Sequence, residues 1–352
     1  MTQLVRQSLV TYGAPLCETV DDCPEPRGSE VLVAVDRCGV CHSDLHMQDG
    51  YFRLGGDKRL DITQGRALPF TLGHEIAGTV VAVGPEAAAQ ARPGDKVAVY
   101  PWIGCGACAA CRLGEENNCT APRHLGVYVD GGYASHVLVP HPRYLIDYAP
   151  LAPAFAAALM CSGLTAYAAL RRLAGHAARG PALLIGVGGV GSMGLALAHA
   201  LFGQAPLVAD IDAGKRQAAL AAGAAAAFDP VDPGARKAVL AATGGLSAVC
   251  DFVGSDASLG FATGVLARGA KVVVTGLIGG SFTTAVAMFP IKAMTIEGML
   301  TGTLAEAREL IALARAGKVT PIPIRERPMR DAQAALEDLR AGKVVGRVVL
   351  TA

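Results

Sequence analysis

Neither sign of charge predominates in this chain: Lys and Arg number 31 against 30 Asp and Glu, and only 17% of its 352 residues are charged. Such a balance advertises no surface for nucleic acid and none for an anionic membrane. The residues from Met1 to Val10 lack the charged flank and apolar core of a secretion signal, so a cytoplasmic protein is expected. Repeats at solenoid periods are missing, and so is any low-complexity tail beyond a general enrichment in Ala. Two uncharged stretches, 151–170 and 181–203, are long enough to be tested as membrane spans. They owe their low polarity to Ala and Gly rather than Leu and Ile, and are read as buried elements of a soluble protein.

What is present suits two domains, since the length is generous for one core. From the N-terminus to about Pro150 the chain runs in short β segments broken by Gly and Pro: Val31–Val35, Ile76–Val83, Lys96–Val99 and Ala134–Val139. The polar, glycine-bearing excursion from Tyr51 to Phe70 is expected to be a surface loop, near the site or at a subunit contact. After Leu151 short apolar runs alternate with Ala-rich helical stretches, the runs being Ala182–Ile185, Pro206–Ala209, Ala225–Phe228, Ala248–Phe252 and Lys271–Val274. That alternation predicts an α/β fold with a doubly wound parallel sheet over 152–297. Helices over Leu304–Ala316 and Asp331–Ala341 and a last strand Arg347–Leu350 are expected to return to the first domain. The first domain is then discontinuous, 1–151 with 298–352.

Four of the ten cysteines fall between 105 and 119, and in a chain without a leader that crowding points to metal rather than disulfides. Cys105, Cys108, Cys111 and Cys119 have the spacing to close a tetrahedral zinc on a lobe at about 101–122. An iron–sulfur cluster starts with the same spacing, but here the fourth Cys comes late and no Pro follows it. Cys17, Cys23, Cys38 and Cys250 have no partner at ligand spacing and are read as ordinary thiols. Gly186-Val187-Gly188-Gly189-Val190-Gly191 follows an apolar run and opens a helical stretch, where backbone N–H groups suit a pyrophosphate. Asp210, at the end of the next run, is the carboxylate expected on an adenosine ribose, which selects NAD over NADP.

A third constellation is dispersed. Cys41, His74 and Cys161 each have a bland explanation singly, as a buried thiol, a hydrogen-bonded core imidazole and a small residue at a helix start. With a dinucleotide fold beside them they make a set of two thiolates and one imidazole, which leaves a zinc with an open position.

On these residues the chain resembles the zinc-dependent medium-chain alcohol dehydrogenases over nearly its whole length. Gly39-Val40-Cys41-His42-Ser43-Asp44, Leu72-Gly73-His74-Glu75, the four-Cys lobe, Cys161 with Thr165, the glycine turn, Asp210 and Gly346-Arg347-Val348-Val349-Leu350 occur in the family's order. Cys161 stands where polyol-dehydrogenase relatives tend to carry Glu. Ser43-Asp44-Leu45-His46-Met47 and Pro101-Trp102 look most like the bacterial and archaeal tetrameric type. The resemblance implies a GroES-like catalytic domain beside a Rossmann-type domain, two zinc ions per chain, NAD, and a homo-oligomer with a tetramer favoured over a dimer. It implies that Ser43 hydrogen-bonds the substrate oxygen, that His46 passes the proton to solvent and that Asp44 orients a ligating imidazole. Glu75 is taken as a further ligand of the catalytic zinc. His42 and Arg347 match positions on the pyrophosphate, Thr165 one beside the nicotinamide, and Ile211 and Lys215 ones around the adenosine. Trp102 matches a substrate-pocket aromatic.

The implied reaction is reversible hydride transfer between an alcohol and NAD, giving an aldehyde or ketone. Two alternatives stay open: a polyol, amino-alcohol or thiol-adduct dehydrogenase on the same scaffold, and a catalytically silent dinucleotide-binding sensor.

Overall fold

Val31–Gly39 carries apolar side chains at most of its positions and forms the strand around which a seven-stranded sheet is built. In the computed structural model, which describes residues 3–352, that sheet runs Leu145–Asp147, Lys96–Val99, Glu75–Val83, Val31–Gly39, Arg347–Thr351, Ile324–Pro328, with His136–Val139 also on Val31–Gly39. Its pairings are antiparallel except that of the last two strands, Ile324–Pro328 with Arg347–Thr351. A smaller sheet joins Cys17–Asp22, Gln3–Leu9 and Phe70–Thr71. These strands belong to one compact unit made of the residues up to Tyr51, Asp61–Leu164 and Gly302–Ala352. As expected, the chain's last strand returns to the first sheet.

The second unit comprises Phe52–Leu60 and Thr165–Thr301. Its six-stranded sheet has the order Ala226–Phe228, Leu207–Ala209, Leu183–Ile185, Leu246–Asp251, Leu266–Val274, Thr295–Gly298, all parallel. Leu183–Ile185 and Leu207–Ala209 are buried at every residue, because helices cover both faces of a doubly wound sheet. The order reverses at Leu183–Ile185, the switch point at which open α/β sheets bind ligands.

Two expectations differ from the structure. The unit boundary falls at Leu164/Thr165 and Thr301/Gly302 rather than at 151/152 and 297/298. Pro153–Ala158 packs on Val31–Gly39 and Glu75–Val83, so the change of texture at Leu151 marks the start of a helix and not the end of the first core. The 51–70 segment is not simply a loop: Tyr51–Arg53 pairs with Arg59–Asp61 as a two-stranded sheet. Gly279, held at φ +94°, lets that hairpin approach within the second unit, since a Cβ there would lie 2.3 Å from the Arg53 carbonyl oxygen.

Among the described residues one helix, Pro153–Ala177, is long and apolar enough to cross a membrane. Its most apolar window is 89% buried inside the protein, as a core helix should be.

Candidate active site

The strand Val31–Gly39 ends where the helix His42–Asp49 begins, and Cys41 is the N-cap between them. Asp44 holds this corner together. Buried completely, its Oδ2 accepts hydrogen bonds from the Cys41 N–H and the Tyr133 hydroxyl, both at 2.8 Å. Its Oδ1 lies 3.3 Å from His74 Nδ1. That contact has the reach of an ion pair but not the alignment of a hydrogen bond, and His74 Nε2 has no partner at all.

Cys161 arrives from the helix Pro153–Ala177, in the middle of a π turn over Leu159–Gly163. Such widened turns change the direction of side chains relative to an α-helix and recur at functional sites. Cys41 Sγ and Cys161 Sγ stand 3.9 Å apart. One ligand atom from each of Cys41, His74 and Cys161 lies within 4.8 Å of the others, and all three residues are buried. The sulfurs share charge unequally: the Cys161 thiol holds Cys41 well below the usual thiol range, and Cys161 itself is pushed well up by Cys41 and burial. Burial opposes a charge on His74, yet Asp44 and Cys41 raise its affinity for a proton well above that of an ordinary imidazole.

On the helix, Ser43 Oγ lies 3.7 Å from Cys41 Sγ, and His46 follows Ser43 by nearly a turn, partly buried. His42 is exposed. Burial, then the neighbouring His42, lowers the proton affinity of His46. Trp102, buried, donates from Nε1 to the Met160 carbonyl at 3.0 Å and packs on His74 with ring centroids 5.3 Å apart.

The four lobe cysteines also converge within 4.8 Å. Backbone N–H groups point at their sulfurs, from Cys105 and Ala121 to Cys119 and from Cys108 to Cys105. A hydrogen bond from the Cys111 N–H leads the causes that bring Cys108 down to about 6, while burial pushes Cys111 up to about 12. Gly104 leaves room for the cluster, because a Cβ there would lie 2.4 Å from Cys111 Sγ. Buried Glu116 anchors the lobe by accepting from Gly104 N and the Tyr144 hydroxyl and pairing with Arg143.

In the second unit, Gly186 turns the chain at φ +84° and Gly188 caps the helix Gly189–Phe202, whose first turn holds Val190. A Cβ on Gly191 would meet the Gly186 carbonyl at 1.8 Å, so helix-to-turn packing requires that glycine. Gly188 is different: its φ is ordinary and a Cβ there would meet nothing within 4 Å. The protein's own packing therefore leaves open the space in front of the helix N-terminus, where an anion is favoured.

Residues 27–149 match the alcohol dehydrogenase GroES-like domain family, and residues 189–316 match the zinc-binding dehydrogenase family. Over 347 residues, 97% of this chain and 98% of the relative, the sequence is 38% identical to an NAD-dependent alcohol dehydrogenase of Sulfurisphaera tokodaii. The chain belongs to the zinc-dependent medium-chain alcohol dehydrogenase family. A crystal structure of the alcohol dehydrogenase from Aeropyrum pernix superposes on this dehydrogenase with a TM-score of 0.88 at 29% identity, covering 99% of this chain and 100% of that one. A D-arabinose 1-dehydrogenase (NADP(+)) of Saccharolobus solfataricus is 30% identical over 97% of this chain and 96% of its own. Substrate and cofactor preference must therefore be argued from this chain's residues.

The donor set fits zinc. Two sulfurs and an imidazole nitrogen without a hydrogen-bond partner converge in a buried site.

Glu75, expected as a further ligand, lies next to His74 in the chain and is engaged by Arg347 and Ser162. Arg347 donates Nε to Glu75 Oε2 at 2.9 Å and Nη2 to Oε1, and Ser162 N–H donates to Oε1 at 3.1 Å. A buried carboxylate needs a counter-charge, and a bidentate guanidinium satisfies both its oxygens. Arg347, expected on the pyrophosphate, is buried and engages Glu75 in this way.

Asp210 stands at the end of its strand as expected, but its oxygens accept from the Val187 and Asp212 N–H groups at 2.8 and 2.9 Å. Asp212, not Asp210, caps the following helix through the Lys215 N–H. Ile211 is exposed beside it, and Thr165 is buried at the start of the second unit. Sequence reasoning missed Tyr133 and His124. Tyr133 is separated from Asp44 by 89 residues, so no local motif links them.

Proposed function

We propose that this chain oxidises alcohols to aldehydes or ketones, reversibly, with NAD, holding a catalytic zinc on Cys41, His74 and Cys161 and a structural zinc on Cys105, Cys108, Cys111 and Cys119. The convergence of two thiols and the partnerless His74 Nε2 carries this reading. Bound zinc supplies Lewis acidity at the substrate oxygen, and bound NAD supplies the hydride acceptor. Asp44 fixes the His74 ring from behind, so that Nε2 faces the sulfurs. Ser43, beside Cys41, takes the hydroxyl proton, and His46 on the same helix face hands it to solvent. Trp102 closes one wall of the site against water and positions the carbon skeleton. Gly188, Gly189 and Val190 present backbone to the pyrophosphate, with Asp210 on the ribose.

The relatives named above are enzymes by name, and a silent sensor draws no support from them. A homo-oligomer, a tetramer in our reading, is supported by an open sheet edge at Thr295–Gly298 with Val286 and Ile291 exposed nearby in sequence.

The test combines elemental analysis with NAD-linked oxidation of an alcohol panel. Two zinc ions per chain and turnover are expected, and Cys41→Ala should lose turnover and about one zinc. One zinc in the wild type, or iron with visible absorption, overturns the assignment.

A further inference from the structure

One buried polar group beside the metal trio has no assigned task. His124 is 3% exposed, and its Nε2 has no hydrogen-bond partner. Its ring stands edge-on to Trp102, centroids 5.4 Å apart at 81°, with Tyr128 on it at 5.6 Å. Trp102 is in turn fixed from two sides by the metal trio, through its contact with His74 and its hydrogen bond to the carbonyl of Met160, the neighbour of Cys161. Two ring contacts thus tie His124 to the place where the substrate oxygen is bound.

Buried nitrogens are rarely left unpaired in native proteins, and an exception calls for a partner. The partner here is neutral. Burial, with His74 second, brings the imidazole down to about 4, so near neutrality it offers one donor and one acceptor and no charge. A hydroxyl, both donor and acceptor, satisfies either tautomer.

We propose that His124 is a specificity-determining residue whose Nε2 hydrogen-bonds a second, uncharged oxygen of the substrate, so that alcohols bearing a nearby hydroxyl are preferred to plain alcohols of equal length. This rests on the alcohol dehydrogenase reading above. A site built to pair with a hydroxyl rejects the analogue that lacks it, because its own polar group is then left buried and unpaired.

The experiment compares 1-butanol with the butanediols on the zinc-loaded enzyme with NAD, for wild type, His124→Phe and His124→Gln. Phe keeps the ring packing without the nitrogen, and Gln restores an amide near Nε2; His124→Leu replaces Phe if the larger ring does not fold, as thermal unfolding reports. At least one diol should exceed 1-butanol in kcat/KM by about tenfold in the wild type. His124→Phe should abolish that advantage, with 1-butanol gaining as the diol loses, and Gln should recover part of it. Equal effects on butanol and diols, or no diol preference in the wild type, overturns the role of His124 alone. No turnover of any alcohol overturns the dehydrogenase reading and this assignment with it.

Discussion

Asp44 serves four neighbours at once, and the arrangement explains why its carboxylate is wholly buried: the Cys41 N–H, the Gly73 N–H, the Tyr133 hydroxyl and the His74 ring surround it. The two residues of the proposed proton path, Ser43 and His46, lie on the same helix. Ser43→Ala should lower kcat by roughly 10²–10⁴-fold, the range of general acid–base steps, and His46→Gln by far less, since water can replace a terminal imidazole. Steady-state kinetics of both variants checks this, and equal, negligible effects would remove the path from the mechanism. The acid limb of the profile carries the sign. His46 must be neutral to accept a proton, and burial lowers its proton affinity, so the rate should hold below the usual histidine range near pH 6.5 and fall only further into acid. In His46→Gln that limb should move.

Local elements were legible in the sequence where burial imposes a pattern. Lys96–Val99 and Leu207–Ala209 follow apolar runs closely, and the fully buried runs of the parallel sheet announced themselves by texture. Cys17–Asp22 did not, because CETVDD lies exposed on an edge and carries no alternation to read. The metal trio was legible only as a set, read together with the dinucleotide fold, and the π turn that presents Cys161 has no sequence signature. The pairing of Glu75 with Arg347 could not be read, because its counter-charge stands 272 residues away. His124 was passed over because a lone histidine in a loop matches no motif.

The lobe is the element whose loss should be most separable from chemistry. Its helix Ala109–Arg112 buries no residue, so in the proposed assignment metal bonds substitute for a core there. Cys108→Ala should lose one zinc and lower the unfolding temperature, with any effect on the chemical step indirect. Calorimetry with metal analysis decides it, and an unchanged unfolding temperature with unchanged zinc counts against a structural metal there.

For the whole molecule, the proposed preference for NAD is argued from a local charge. Asp210 keeps its carboxylate in the turn, and nearby Arg216 is engaged by the Asp210 carbonyl and by Asp229, so it is not free to welcome a 2′-phosphate. Two unit charges about 4 Å apart repel by roughly 4 kcal/mol at an effective dielectric near 20, and water will reduce that. A preference for NAD of about a hundredfold in kcat/KM follows, and Asp210→Gly should narrow it. A wild type that prefers NADP, or a variant with the same preference, sinks the role of Asp210.

The distance between Glu75 and Arg347 also bears on how the protein is made. The four-Cys lobe is complete once residue 119 has left the ribosome, whereas the catalytic trio waits for residue 161, and the charge that offsets its neighbour Glu75 waits for residue 347. Loading should therefore occur in order, the lobe during synthesis and the catalytic centre only near its end. Ribosome-bound chains stalled after residue 300 should retain one zinc through chelator washing, and released full-length chains two.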